Sequence, residues 1–281
     1  MLTDSPERCA ALTFVIIGAG PTGLEMAGAV AEIARYTLRH DFRRIDPRDA
    51  RILMIDAGDR VLGAFHPELS QKAQEQIETM GVEVRLKTVV RSVTETGVQL
   101  GEEHIDAHTV IWAAGNEASP VGRASGLEVD RAGRVIVQPD LTVPGHPEVQ
   151  VLGDMAHISR DGMPLPGVAP VAIQQGKHAA WNIQRMVDGD RPESFEYRER
   201  GGMATIGRRA GVADLGFARF GGPLAWYAWL FVHIVFLIGF RNRIVVLFQW
   251  FWAYLTFARD ARLITGNTVD EREQFLREAH L

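Results

Sequence analysis

One glycine-rich turn constrains this chain more than any other stretch, because it must join a buried strand to a helix. Residues 14–17 are all apolar and predict a parallel strand, which runs through Gly18-Ala19-Gly20-Pro21-Thr22-Gly23 into an apolar-periodic helix over 23–39. We expect Gly18 to permit the tight turn, Gly20 to let a pyrophosphate approach the backbone, and Gly23 to let the helix pack close to the strand. The helix N-terminus would offer free N–H groups and a positive dipole end to the phosphates. The pattern predicts a dinucleotide site, with an ordinary glycine-rich turn as the alternative.

An acidic residue closes the second apolar strand, where a dinucleotide-binding fold needs a hydrogen-bond acceptor for the ribose. Residues 51–56 predict that strand, and Asp56 is its last residue. The usual spacing from the glycine turn is about 20 residues, and the longer helix and polar connection here weaken the match. Arg60 lies near enough to raise NADPH as the alternative, through its 2′-phosphate. We expect NADH, because a carboxylate at the strand end repels that phosphate.

The stretch that ends at Gly115 completes one Rossmann-like α/β unit. Its other elements are predicted from periodicity: a helix over 67–80, a strand over 82–86, and an antiparallel hairpin formed by 89–94 and 97–100. Residues 109–115 form another apolar strand, which ends in small residues. We expect that end to lie beside the glycine turn, where small side chains leave room for a cofactor.

Beyond Gly115 the sequence becomes more polar and the predicted strands are short. They cover 134–137, 149–152, 195–197, 203–206 and 212–217. One longer helix is predicted over 169–187, after a loop rich in Pro and Gly. Gln174 and Gln175 lie in its first two turns, near a helix end that can stabilise an anionic ring. The alternative for both glutamines, and for His178, is simple solvent exposure.

Two apolar runs near the end of the chain predict contact with a membrane. Residues 223–240 are apolar apart from His233, and residues 244–257 are apolar again after Arg241-Asn242-Arg243. The first run has about the length of a membrane span, and the second is too short. Trp and Tyr cluster with Arg, as at a membrane–water interface, so we expect two amphipathic helices that lie in one leaflet. A buried core helix is the alternative.

Composition excludes several classes of function. The net charge of −5 gives no reason to expect a nucleic-acid partner. Cys9 is the single cysteine, so an internal disulfide and a cysteine metal cluster are both impossible, and we expect no metal site. The absence of a CxxC motif also argues against dithiol redox chemistry.

Four blocks of sequence together resemble the type II NADH dehydrogenases. They are the glycine turn with Leu24-Glu25-Met26-Ala27-Gly28, then Trp112-Ala113-Ala114-Gly115, Leu152-Gly153-Asp154, and Ala169-Pro170-Val171-Ala172-Ile173-Gln174-Gln175-Gly176. Residues 231–243 resemble the C-terminal membrane segment of that family, and the resemblance covers about residues 10–266. It implies a single-subunit, non-proton-pumping NADH:quinone oxidoreductase that uses FAD.

The resemblance implies a role for each matched residue on the NADH side. Gly18, Gly20 and Gly23 would hold the pyrophosphate of NADH, and Asp56 its adenosine ribose. Gly115 would lie near the nicotinamide. Glu25 would lie where the nicotinamide meets the flavin, although its position alone favours an acid that stabilises a helix N-terminus.

On the flavin side, the resemblance implies that Gly153-Asp154 binds the ribityl chain of FAD. Ala172 and Gln174 would lie beside the isoalloxazine ring, with Gln174 at the quinone pocket. The family often has Gln where this chain has Pro170, so the contact on the quinone side would differ.

The expected architecture is an α/β fold in three parts. An NAD(H)-binding Rossmann-like domain would cover 1–117, the C-terminal part of an FAD-binding domain 118–194, and a membrane-association region with amphipathic helices 195–281. The implied location is peripheral, on the cytoplasmic face of the cell membrane, with quinone and the lipid surface as partners. A homodimer stays an open alternative.

The family has a further glycine-rich turn for the ADP half of FAD, and this sequence contains one such turn, the NADH one. We therefore expect a fragment of a longer enzyme, which would bind FAD weakly, purify colourless and lack NADH:quinone activity alone. A non-catalytic NADH-binding module attached to a membrane is one alternative. A soluble flavoprotein disulfide reductase is another, against which the missing CxxC and the apolar tail argue.

Overall fold

The fold was established from a computed structural model that describes residues 5–38, 45–160, 162–199, 201–236 and 240–256. The helices in these ranges are α1 (Pro6–Ala11), α2 (Pro21–Glu32), α3 (Pro67–Thr79), α4 (Val121–Ala124), α5 (Ala169–Val187), α6 (Pro223–Phe236) and α7 (Phe240–Thr256). The strands are β1 (Thr13–Ile17), β2 (Arg51–Ile55), β3 (Val82–Arg85), β4 (Ser92–Thr94), β5 (Gly97–Leu100), β6 (Glu103–Asp106), β7 (Thr109–Trp112), β8 (Val135–Ile136), β9 (Thr142–Val143), β10 (His146–Gln150), β11 (Ala156–His157), β12 (Ser159–Arg160), β13 (Met163–Pro164), β14 (Gly202–Gly207), β15 (Ala210–Asp214) and β16 (Arg219–Gly221).

A four-stranded parallel sheet in the order β3-β2-β1-β7 forms the centre of the fold. Its two inner strands, β1 and β2, are largely buried on both faces, as their apolar sequences predict, whereas the edge strands β3 and β7 are partly exposed. In β2, Ile52 and Met54 belong to the core shared with α2 and α3, whereas Leu53 and Ile55 pack with residues of β5 and β6 on the other face. The predicted α/β unit is therefore confirmed.

Helix α2 is the element that joins the central sheet to the C-terminal part of the chain. A second sheet, in the order β14-β15-β16, contributes Ala204, Ile206 and Val212 to the core around α2. Gly28 brings the two surfaces together, since a Cβ at this position would lie 1.6 Å from the carbonyl oxygen of Ile206. Within the predicted helix 23–39, the last turn observed is a π-helical turn over Ile33–Thr37.

Two predictions about strands need correction. The predicted hairpin forms as β4 and β5, but β6 adds a third strand to it, in which Ile105 alone is buried. Residues 195–197 are not a strand. Phe195 is buried and its N–H donates to the carbonyl of Pro139 at 2.8 Å, yet no ladder follows, so apolar burial there does not reflect sheet pairing.

Helices α6 and α7 follow the second sheet and contact each other. Ala225 of α6 is buried, whereas Phe231 of α6 and Phe248 of α7 are exposed. The rings of Trp229 and Trp250 stack between the two helices, with centroids 6.0 Å apart. Within the described ranges, no helix has the length and apolarity needed to cross a membrane. The predicted runs also include residues 237–239 and 257, which lie outside those ranges.

Candidate functional site

The glycine turn between β1 and α2 has the geometry of a phosphate cradle. Gly18 has φ +108° and lies so close to β7 that a Cβ would be 2.6 Å from the carbonyl carbon of Ala113. A Cβ at Gly23 would lie 1.8 Å from the carbonyl oxygen of Gly18, so this glycine fits the helix against the turn itself. At Gly20, the N-cap of α2, a Cβ would meet nothing within 4 Å, and no side chain caps the helix. Open space and uncapped N–H groups are what a pyrophosphate needs.

Asp56 follows β2 and joins the glycine turn to the next loop. One carboxylate oxygen accepts a hydrogen bond from the N–H of Ala19 at 2.6 Å, and the other accepts from the N–H of Gly58, also at 2.6 Å. A carboxylate has about four acceptor positions, so capacity remains for a ribose hydroxyl. The Arg60 guanidinium donates to the carbonyl of Gly63 at 2.8 Å, within its own loop.

The end of β7 lies beside the glycine turn, as predicted. The N–H of Ala113 donates to the carbonyl of Ile17 at 2.7 Å, and Gly115 has φ +103° with open space where a Cβ would be. Glu25, on α2, is half-buried and accepts from the hydroxyl of Thr205 at 3.3 Å. Its carboxylate is thus held against β14, and its role beside a nicotinamide stays a prediction.

A cleft connects the segment after Gly115 with the predicted flavin-side residues. Its walls include Asn116, Glu117, Gly153, Asp154, Gly167 and Gln175. Asp154 is exposed in a short 3-10 turn, Gly153–Met155, and a Cβ at Gly167 would lie 3.4 Å from its Oδ1. Gly153 has φ +64°, and a Cβ there would lie 3.4 Å from that of Ala172 on α5. Of the predicted residues, Gly153 and Asp154 line this cleft, and Asn116, which directly follows Gly115, lies in the same lining.

The two adjacent glutamines of α5 have different partners, and neither points freely into solvent. Gln174 donates to the carbonyl of Arg198 at 3.0 Å and accepts from its N–H at 3.1 Å. Gln175 is 1% exposed, and its Oε1 accepts from the N–H of Gly153 at 2.6 Å. The alternative of solvent exposure is wrong for Gln175. His178 is held by the carbonyl of Glu193 at 2.8 Å.

The start of α5 has fewer donors than a typical helix N-terminus. Val168 is its N-cap and provides no side-chain cap, Pro170 lacks an N–H, and the N–H of Ala172 donates to the carbonyl of Val168 at 3.4 Å. The N–H of Ala169 is thus the first-turn group best placed for a ligand. This helix start therefore offers fewer N–H groups to a ligand than a first turn without proline would.

An ion cluster beneath the cleft was not predicted. Asp130 accepts from the Nε of Arg134 at 2.7 Å and lies 2.8 Å from Nδ1 of His157, which follows the Gly153–Met155 turn. Burial by itself raises the pKa of Asp130, but the hydrogen bonds from Arg134 and His157 outweigh it and hold the pKa well below its usual range. The four-residue spacing of Asp130 and Arg134 in the sequence could have indicated their ion pair, but nothing in the sequence indicates the contact with His157. Among the described residues, no group of His, Cys, Asp or Glu could hold a metal ion.

Comparison with known families agrees with this geometry. The family described as Pyridine nucleotide-disulphide oxidoreductase matches residues 3–176, and the NDH2 C-terminal domain matches residues 200–260. The solved structure of NDH2 from Plasmodium falciparum in complex with NADH has a TM-score of 0.80 to this chain at 16% identity, covering 91% of this chain and 68% of that one. At that identity the likeness establishes the fold.

Curated relatives carry the comparison further. The type II NADH:quinone oxidoreductases NdhA and Ndh of Mycobacterium tuberculosis are 44% and 39% identical to the chain, over 96% and 99% of its length. A type II NADH:quinone oxidoreductase of Staphylococcus haemolyticus is 33% identical over 72%. The chain spans 60%, 62% and 51% of the lengths of these three proteins. The chain therefore belongs to the pyridine nucleotide-disulphide oxidoreductase family and, within it, to the type II NADH dehydrogenases.

Proposed function

We propose that the chain forms the NADH site and the ribityl side of the FAD site of an NADH:quinone oxidoreductase. The observation that carries the proposal is the cleft in which the segment after Gly115 meets Gly153 and Asp154. A hydride donor and its acceptor must lie next to each other, and the lining that Asn116, the residue after Gly115, shares with Gly153 and Asp154 supports such an arrangement. The names of the M. tuberculosis relatives support the same reaction.

The residues of the chain would bind and orient the two cofactors. The uncapped first turn of α2 would donate N–H groups to the pyrophosphate of NADH across Gly20, and Asp56 would accept from its adenosine ribose. Gly115 would leave room for the nicotinamide, with Glu25 held nearby by Thr205. When bound, FAD supplies the redox chemistry, as hydride acceptor and as electron donor to quinone.

On the flavin side, the Asp154 carboxylate would accept from the hydroxyls of the ribityl chain. A Cβ at Gly153, which lines the cleft, would lie 3.4 Å from that of Ala172, so a larger residue at Gly153 would crowd the start of α5. Gln174 would lie at the quinone side, where its hydrogen bonds to Arg198 connect α5 to the segment that leads into β14. Pro170 leaves this end of the site with one donor fewer.

We infer that the α6–α7 face is where the protein meets the membrane surface and where quinone enters. Its large exposed side chains include Leu224, Tyr227, Phe231, Phe248, Phe251 and Trp252. An aromatic, apolar face with Arg241 and Arg243 at its edge suits the boundary between headgroups and acyl chains. Peripheral attachment on the cytoplasmic face, a homodimer and the three-part division at residues 117 and 194 are further parts of this proposal.

The nucleotide assignment is tested by titrating the chain with NADH and with NADPH. We expect NADH to bind at least about tenfold more tightly, because the Asp56 carboxylate repels a 2′-phosphate over a few ångströms. Asp56→Asn removes the negative charge and should bring the Kd for NADPH closer to the Kd for NADH. The matched control is Asp59→Asn, at a neighbouring carboxylate that is 69% exposed and faces Arg60. Equal affinities for the wild-type chain would refute the assignment and favour Arg60 as a phosphate ligand.

The reaction is tested with NADH, FAD and a soluble quinone analogue. With FAD added to saturation, which offsets the weak binding expected of this chain, we expect quinone-dependent NADH oxidation. We expect Gln174→Ala to slow the reduction of quinone more than the reduction of the flavin by NADH. NADH binding without any flavin binding would instead indicate a non-catalytic nucleotide-binding module.

A further inference from the structure

A buried side chain outside the predicted set supports the turn that carries Asp154. Gln175 is 1% exposed, although glutamine is a residue type that is usually exposed. Its Oε1 accepts from the N–H of Gly153 at 2.6 Å, across 22 residues of sequence. A buried amide kept at a short distance from one backbone group indicates that the contact has a purpose beyond filling space.

The partner of Gln175 is the N–H of Gly153, which finds no hydrogen-bond acceptor within its own turn. Gly153 begins the 3-10 turn Gly153–Met155, and the first N–H groups of any helical turn have no partner inside it. Gly153 also has φ +64°, a conformation that glycine adopts readily and that leaves the turn free to change. A hydrogen bond from α5 therefore selects one arrangement of the turn.

The neighbouring Gln174 provides a contrast on the same helix. Its amide is bonded on both sides to the backbone of Arg198, so it connects α5 to the C-terminal part of the chain. Gln175 points to the opposite neighbour, the turn below the cleft, and itself lines that cleft. The two glutamines thus have separate structural roles despite their adjacency.

We propose that Gln175 is a positioning residue for flavin: by accepting from Gly153, it fixes the Gly153–Met155 turn and so holds the Asp154 carboxylate where the ribityl chain binds. This inference rests on the proposed function for the identity of the ligand. The hydrogen bond to Gly153 itself does not depend on it. Gln175 acts through Asp154 and makes no contact with the reacting atoms.

The experiment compares three variants of the full chain. Gln175→Met keeps the size and removes the acceptor, Gln175→Glu keeps an acceptor oxygen, and Gln174→Met is the matched control on the adjacent residue. Hydrogen–deuterium exchange at the Gly153 amide reports on the turn without any cofactor. We expect exchange to be about tenfold faster in Gln175→Met, and within about twofold of wild type in the other two variants.

The Kd for FAD is then measured by fluorescence titration, once in proteins that keep Asp154 and once in proteins that also carry Asp154→Asn. We expect Gln175→Met to raise the Kd for FAD by about 2- to 12-fold, which corresponds to one neutral hydrogen bond, and to have no effect on the Kd in an Asp154→Asn background. Hydrogen–deuterium exchange at Gly153 that is unchanged in Gln175→Met would overturn the proposal. The proposal would also be overturned if Gln175→Met raised the Kd for FAD as much in the Asp154→Asn background as it does with Asp154 present. A wild-type chain that fails to bind FAD would refute the proposed function instead, while the exchange data still decide the role of Gln175 in the turn.

Discussion

Replacing Gly28 with alanine should separate the nucleotide-binding helix from the second sheet. The added Cβ would lie 1.6 Å from the carbonyl oxygen of Ile206, and contacts shorter than 3.0 Å essentially never occur, so the two backbones must move apart by at least 1.4 Å. Both atoms belong to regular elements, α2 and β14, so no flexible side chain can absorb the shift. The contacts on either side of Gly28, from Glu25 to Thr205 and from Glu32 to the N–H of Arg208, would weaken together.

The expected loss of stability follows from these contacts. Overpacking a core costs about 1–3 kcal/mol, and two weakened hydrogen bonds add about 0.5–1.5 kcal/mol each. Alanine recovers about 0.5–1 kcal/mol through its higher helix propensity. We therefore expect the free energy of unfolding to fall by about 3 kcal/mol, within a range of about 1–5.5 kcal/mol set by these terms, against the roughly 5–15 kcal/mol typical of a domain.

Urea unfolding followed by far-UV circular dichroism measures the change. With a slope of about 3 kcal/mol per molar, the midpoint should fall by about 1 M. Gly176→Ala is the matched control, because Gly176 also lies inside a helix but a Cβ there meets nothing within 4 Å. That substitution should raise stability by about 0.5–1 kcal/mol. Equal midpoints for the two variants would show that α2 and β14 are not in close contact and would refute the reasoning.

Two further predictions concern charge and membrane contact. Asp130→Asn should lower the free energy of unfolding by about 2–4 kcal/mol at pH 7, because Arg134 and His157 lose a charged acceptor in a mostly buried site. Since the folded-state pKa of Asp130 is depressed, its contribution is complete above the ordinary carboxyl pKa of about 3.9 and is lost as the pH falls below it. The gap in unfolding free energy between variant and wild type should therefore begin to narrow below about pH 4 and close only as the pH approaches the depressed folded-state pKa, and a gap that stays constant through this range would contradict the assignment. In a vesicle flotation assay, Phe248→Glu should reduce binding of the protein to the vesicles by about tenfold or more. The control is Val187→Glu, at an apolar residue of α5 that is also highly exposed, and it should leave vesicle binding unchanged. Equal losses of binding in the two variants would refute a membrane role for α7.

Features that depend on neighbours in sequence were predicted well. Helix α5 begins and ends at the predicted residues, since its apolar periodicity and its entry through a Pro-Gly loop are local signals. The conformation of Gly18 and the open space at Gly20 also follow from the strand–turn–helix pattern around them.

Features that depend on distant partners could not be predicted in this way. Gln175 is paired with Gly153 from 22 residues away, and Glu25 with Thr205 from 180 residues away. Neither partner leaves a periodic trace in the sequence. Strand β6 was missed for a related reason, because Ile105 is its one buried residue and a single apolar side chain cannot define an alternating pattern.

The packing of the second sheet on α2 also determines when α2 can be covered while the chain is being synthesised. Gly28 of α2 is covered by Ile206 of β14, which leaves the ribosome about 180 residues later. At about 5–20 residues per second, the outer face of α2 stays uncovered for roughly 10–35 s. A nascent chain that stops before β14 therefore leaves this face uncovered, and chaperones that bind apolar surfaces should associate with the nascent chain until β14 has emerged.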